Sequence, residues 1–88
     1  MVQQKVMVRN KIGIHSRPAA LLVDTASRFK SKVTVTKGEA SASAQSMIRI
    51  LALKVKQDNE ILVGAEGEDE DDALKAVVGL IESKFGEE

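Results

Sequence analysis

"KVTVTKGEASAS", residues 32–43, alternates Val33 and Val35 with Thr34 and Thr36, breaks at Lys37-Gly38-Glu39, and resumes as Ala40, Ser41, Ala42, Ser43. A period of two on both sides of a glycine turn is the pattern of a β-hairpin. The small Ala/Ser tract follows the turn directly, so it reads as an edge strand rather than a linker. A hairpin makes this part of the sheet antiparallel, and antiparallel sheets commonly bury only one face. The flanking segments must therefore supply the cover.

Upstream, residues 2–9 alternate Val2, Val6 and Val8 with Lys5 and Arg9, although Gln4 and Met7 blur the pattern, and predict a strand with one buried face. From Ser16 to Phe29, Ala19, Leu22, Val23, Ala26 and Phe29 recur at three- and four-residue spacing, with Pro18 in the first turn where its missing N–H costs little; this predicts a helix. Downstream, "QSMIRILALK" opens with Ser46 as an N-cap for a short second helix. "NEILVGAEG" reads as a strand with Ile61, Val63 and Ala65 on one face, and Gly64 suits a close backbone approach. Asp69 to Phe85 is a third helix, with acids in its first turn and an apolar stripe of Leu74, Val77, Val78, Ile81 and Phe85. The predicted order is β-α-β-β-α-β-α, an α+β sandwich with the helices on one face of the sheet.

The chain has 88 residues, 43% hydrophobic and 30% charged, which fits one globular module spanning residues 1–88. No run approaches the about 18 apolar residues that cross a bilayer, and the polar "MVQQK" start lacks a signal-peptide pattern. These features predict a cytoplasmic protein with no membrane insertion. There is no Cys, hence neither disulfide nor thiolate. The net charge is zero, but residues 1–56 carry 11 Lys or Arg against two acids while residues 57–88 carry two against 11. A basic portion suggests an anionic ligand or an acidic partner. With no Trp or Tyr and two Phe there is little to stack on bases, so direct nucleic-acid binding is disfavoured.

"GIHSRPAA", residues 13–20, holds the only histidine. One His with no Cys supplies neither a nucleophilic triad nor the about four ligands of structural zinc, so no metal and no cofactor is expected. No GxxxxGK[ST] stretch cradles a nucleotide phosphate. What His15 can do alone is attack phosphorus through a neutral imidazole nitrogen and hold the phosphoryl group covalently. At or just before Ser16 it would present that group to the unsatisfied N–H groups and positive dipole end of the helix. Arg17 adds a planar cation suited to phosphate oxygens, and Gly13 permits a tight approach from the first strand. On the second helix, burial of Ile50 and Leu53 would leave Met47, Ile48 and Leu51 as an exposed apolar docking patch. A phosphate on Ser46 would sit beside that patch and could alter partner binding.

"GIHSRPAA" together with "QSMIRILAL" and "GEDEDDAL" strongly resembles the bacterial HPr family of phosphocarriers, over the whole chain. Ile12, Gln45 and Arg49 depart from residues common among relatives, and Met47-Ile48 reverses a frequent Ile-Met pair. The resemblance implies the open-faced β-sandwich, a four-stranded antiparallel sheet with three helices on one face. It implies that His15 accepts a phosphoryl group from phosphoenolpyruvate-charged enzyme I and passes it to the IIA component of a sugar permease, with Arg17 assisting. It also implies regulatory phosphorylation of Ser46 by an HPr kinase/phosphorylase, creating a corepressor for a catabolite control regulator. Ala20, Met47, Ile48, Arg49 and Leu51 form the implied partner surface of a monomer. A carrier of this kind is not an enzyme with turnover of its own. The competing class is a regulatory binding module that works through the patch on the second helix and is switched at Ser46.

Overall fold

Alternate residues in the middle of the sheet are buried, and the register places them opposite one another. The computed structural model describes residues 1–86. Its strands are β1 (Val2–Met7), β2 (Lys32–Lys37), β3 (Ala40–Ser43) and β4 (Glu60–Glu66). They form a four-stranded sheet in the order β1-β4-β2-β3, with all neighbours antiparallel. Val6 pairs with Ile61, Val35 with both Val63 and Ala42, and Val33 with Ala65. All are buried, so one face of the sheet is a continuous apolar surface. The opposite face carries Lys5, Leu62, Thr36 and Ser41 in a cross-strand row and has no helix over it. Gly64 lies on that open face between Gln3 and Thr34, where an added Cβ would stand 3.2 Å from the Thr34 hydroxyl.

The helices α1 (Ser16–Ser27), α2 (Met47–Ala52) and α3 (Glu70–Glu82) cover the apolar face. α1 buries Ala19, Leu22 and Ala26, α2 buries Ile50, and α3 buries Ala73, Val77, Val78 and Ile81. Leu22, Ile50 and Ile81 are wholly excluded from solvent, each burial stabilising the fold by about 1.5–3 kcal/mol. The α+β open-faced sandwich expected from the hairpin and the helical stripes is the observed fold. β4 lies between β1 and β2, so β1, α1 and β2 form a split β-α-β unit, and the last strand in sequence occupies the centre of the sheet.

Several boundaries are shorter than the periodicity predicts. β1 stops at Met7, but Val8 stays buried because its N–H donates to Asn59 and its carbonyl accepts from Asp58. α1 ends at Ser27, where Arg28 and Phe29 donate to Thr25 and Ala26 in tighter i−3 bonds, leaving Phe29 half-buried. α3 begins at Glu70, after Asp69, and ends at Glu82. Phe85 belongs to a 3-10 turn, Lys84–Gly86, with Lys84 and Phe85 both at positive φ, and it buries its ring from there rather than from the helical stripe.

Glu70, Asp71 and Asp72 occupy the first turn of α3 as expected, but Asp69 before them has a different role from the one its position suggests. Asp69 makes no capping bond to α3; its carboxylate accepts from the Ser31 hydroxyl and from the backbone N–H groups of Lys30 and Ser31. The Ser31 hydroxyl first, then the amides, hold the Asp69 carboxyl below its ordinary range. Gly67 has positive φ and packs on Ser31, where an added Cβ would come within 2.7 Å of the Ser31 Cα. The α1–β2 connection is thus tied to the start of α3.

Candidate functional site

The chain reaches His15 along a closely constrained track. The Gly13 N–H donates to the Asn10 carbonyl at 3.1 Å, closing a turn, and the Asn10 side-chain Nδ2 donates to the Gly13 carbonyl at 2.6 Å. The Ile14 N–H donates to the Val55 carbonyl at 3.0 Å. Gly13 has φ +74°, and a Cβ there would fall 2.4 Å from the Val55 oxygen and 2.6 Å from the Lys56 Cα. Gly13 permits the tight approach from the first strand expected from sequence, and the backbone it passes so closely is that of the loop after α2. The Asn59 side chain accepts from the Lys56 N–H at 2.8 Å, which fixes that loop in turn.

His15 is the N-cap residue of α1, with extended backbone at φ −100° and ψ −163°. Its carbonyl accepts from the Ala19 N–H at 2.9 Å, the first intrahelical bond. Its imidazole makes no capping hydrogen bond to the first turn, so capping does not explain why the residue is a histidine. Pro18 is buried and has no N–H, while the amides of Ser16 and Arg17 make no intramolecular hydrogen bond among the described residues. The first turn of α1 has no acidic residue. Arg17 is exposed and forms no ion pair among the described residues. His15 is half-buried beside two open amide donors, a free guanidinium and the positive end of a 12-residue helix. That combination suits a tetrahedral dianion.

Ser46 is the N-cap of α2, and its Oγ accepts from the Arg49 N–H at a long 3.4 Å. Of the expected apolar patch only Ile48, 82% exposed, stands fully in solvent; Met47 and Leu51 are half-buried against the core. The patch is therefore narrower on α2 than a three-residue surface. Ala20 and Arg49 are exposed as expected. Two apolar residues absent from the sequence-based surface are also exposed. Ile12 is 66% exposed in the loop before His15, and Leu21 is exposed on α1, off the stripe of Ala19, Leu22 and Ala26.

The two predicted phosphate-accepting residues do not share a pocket. The loop after α2 meets the residue before His15 through the Ile14–Val55 bond, whereas Gln45, before Ser46, donates to the carbonyls of Ala26 and Ser31 at the far end of α1. α1 and α2 are therefore antiparallel neighbours. His15 and Ser46 mark opposite ends of a platform whose longer helix measures about 18 Å at 1.5 Å per residue. Lys37, read from sequence only as a turn residue, caps the other end of α2: its Nζ donates to the carbonyls of Leu53 and Lys54 at 3.2 and 2.8 Å.

The geometry is that of an anion-accepting helix end, and the family model described as "PTS HPr component phosphorylation site" matches residues 2–83. The chain belongs to the HPr family. It is similar to phosphocarrier protein HPr of Treponema pallidum, with 40% identity over 88 residues, all of both chains. It is also similar to the HPr-like protein Crh of Bacillus subtilis, with 40% identity covering 96% of this chain and 99% of that protein. The crystal structure of HPr from Thermoanaerobacter tengcongensis superposes with a TM-score of 0.97 at 49% identity, covering 100% of this chain and 99% of that one. A second structure from that organism, described as an HPr dimer, matches with a TM-score of 0.80 at 48% identity, covering 99% and 100%. HPr proteins are phosphocarriers of the phosphotransferase system, not catalysts, and the resemblance read from "GIHSRPAA" stands.

Proposed function

We propose that His15 is the residue that carries the phosphoryl group, received from phosphoenolpyruvate-charged enzyme I and delivered to the IIA component of a sugar permease. The observation that carries this reading is the placement of His15 at the N-terminus of α1, next to the open Ser16 and Arg17 amides and the unpaired Arg17 side chain. In the transfer step, the lone pair of an imidazole nitrogen forms a bond to phosphorus. The bond from phosphorus to the donor breaks, and its electron pair stays with the donor. The amides and Arg17 meet the phosphoryl oxygens both during transfer and afterwards, and their positive potential offsets the charge that the group carries. Delivery to IIA reverses the step with a different partner. Ala20, Leu21 and Ile48, with Met47, Leu51 and Arg49 at the edges, supply a mostly apolar docking face bordered by cations. Residues 1–88 act as one module in the cytoplasm. One copy suffices for the chemistry, and sedimentation at working concentration decides whether this chain pairs as the described dimer of its relative does.

Ser46 is the regulatory site of the same reading. Its Oγ is held only by a long bond to the Arg49 N–H, and phosphorylation there adds charge beside Ile48 at the end of the platform away from His15. An HPr kinase/phosphorylase and a catabolite control regulator are the partners that this site implies. Incubation with phosphoenolpyruvate and enzyme I, followed by intact-mass measurement, tests the carrier reading. The wild type gains one acid-labile phosphate and His15→Ala gains none; a phosphate that persists in His15→Ala overturns it.

A further inference from the structure

Asn10 is one of two buried polar residues among the described residues, only 3% exposed, and nothing in the carrier chemistry so far uses it. Its Nδ2 donates to the Gly13 carbonyl, while the N–H on the other side of the same peptide unit, that of Ile14, donates to the Val55 carbonyl. The Gly13–Ile14 peptide is thereby held at both ends, one residue before His15. With ω planar, fixing both its C=O and its N–H fixes the plane itself, and with it the direction in which the chain enters Ile14 and His15. The Val55 half of this clamp is backbone and survives any side-chain change; the Asn10 half depends on one carboxamide. Gly13, at positive φ, has no steric preference of its own to replace it.

We infer that Asn10 is a positioning residue for phosphoryl transfer, its carboxamide orienting the Gly13–Ile14 peptide so that the His15 ring and the open amides of α1 converge on one phosphoryl group. The inference rests on the carrier reading of His15. It separates Asn10 from the docking face, because Asn10 is buried in the loop and exposes nothing for a partner to touch. Loss of the carboxamide therefore lowers the maximal rate of phosphorylation by enzyme I and leaves the KM for this protein unchanged. Displacement of a reacting group by a fraction of an ångström to an ångström lowers rates on the order of ten- to a hundredfold.

The test compares wild type with Asn10→Leu, similar in size without a donor, and Asn10→Ser, smaller but able to donate. Steady-state phosphorylation by enzyme I and phosphoenolpyruvate is measured, with folding checked by urea titration. Should Asn10→Leu fail to fold, Asn10→Ala takes its place. The expected result is a maximal rate at least tenfold lower in the Leu or Ala variant at unchanged KM, partly restored in Asn10→Ser. Equal maximal rates in wild type and a folded variant without the donor overturn the inference, as does a loss confined to KM. If the wild type itself takes up no phosphate on His15, the carrier reading fails instead.

Discussion

Replacing Gly13 by Ala tests whether the track leading to His15 is set by contact with the loop after α2. An Ala Cβ at this position meets the Val55 oxygen at 2.4 Å and the Lys56 Cα at 2.6 Å, both backbone atoms that no rotamer change can move aside. Left-handed φ costs an L residue about 1–2 kcal/mol. Relief of the overlap requires the two loops to separate, which breaks the Ile14–Val55 hydrogen bond at a further cost of about 0.5–1.5 kcal/mol. Repacking around the misfit adds about 1–3 kcal/mol. The sum is roughly 2.5–6.5 kcal/mol. Gly38→Ala is the matched control: its φ is also positive, +60°, but nothing lies within 4 Å of an added Cβ, so it carries only the left-handed cost of about 1–2 kcal/mol. Urea unfolding of both variants isolates the steric difference, expected at about 1.5 kcal/mol or more. At roughly 4–8 °C per kcal/mol for a domain of this size, Gly13→Ala should melt at least about 6 °C below Gly38→Ala. Equal destabilisation of the two variants would refute the claim that backbone contact, rather than dihedral preference alone, demands glycine before His15.

Further expectations follow from the same contacts. Arg17→Ala leaves stability within about 0.5 kcal/mol, because the side chain is exposed and unpaired, but lowers His15 phosphorylation by roughly tenfold or more; urea titration and enzyme I kinetics measure the two effects. Ile50→Ala loses about 2–5 kcal/mol of stability, while Ile48→Ala, two positions earlier on α2 at 82% exposure, loses little stability but weakens partner binding in titration calorimetry. Asp69→Asn removes a carboxylate that its Ser31 and Lys30 partners hold below the ordinary range. A lowered folded pKa means that the wild type has this stabilisation in full above the ordinary carboxylate range and loses it as pH falls through the folded value. The stability gap between wild type and Asp69→Asn should therefore be open at neutral pH and close in acid, which urea titrations across that range would measure.

Some of this molecule is legible in its sequence because the physics is local. Val33 and Val35 alternate with Thr34 and Thr36 because one face of β2 meets the core, and Leu22 and Ala26 recur at helical spacing because one face of α1 does. His15, Arg17 and Pro18 stand out because a helix start dictates where they sit. Contacts between distant segments leave no comparable mark. Nothing in residues 59–67 says that β4 enters the centre of the sheet, and nothing in "GEDEDD" says that Asp69 reaches Ser31 rather than capping its own helix. Gly13 is visibly a turn glycine, but the Val55 and Lys56 backbone that forbids a side chain lies about 40 residues away in sequence. The expected docking patch is narrower in the structure for a related reason: a six-residue helix is too short for spacing alone to tell Met47 and Leu51, half-buried, from Ile48, exposed. Ile12 lies in a loop with no periodicity, so only its exposure identifies it.

The central claim is that one imidazole at a helix end carries the phosphoryl group between two partners. The most direct measurement is a chase: the protein is charged with radiolabelled phosphoenolpyruvate and catalytic enzyme I, separated from both, digested, and in parallel mixed with a IIA acceptor. The account predicts acid-labile label confined to the peptide containing His15, and loss of that label to IIA. Acid-stable label on the peptide containing Ser46, or label on His15 that IIA does not remove, would contradict it.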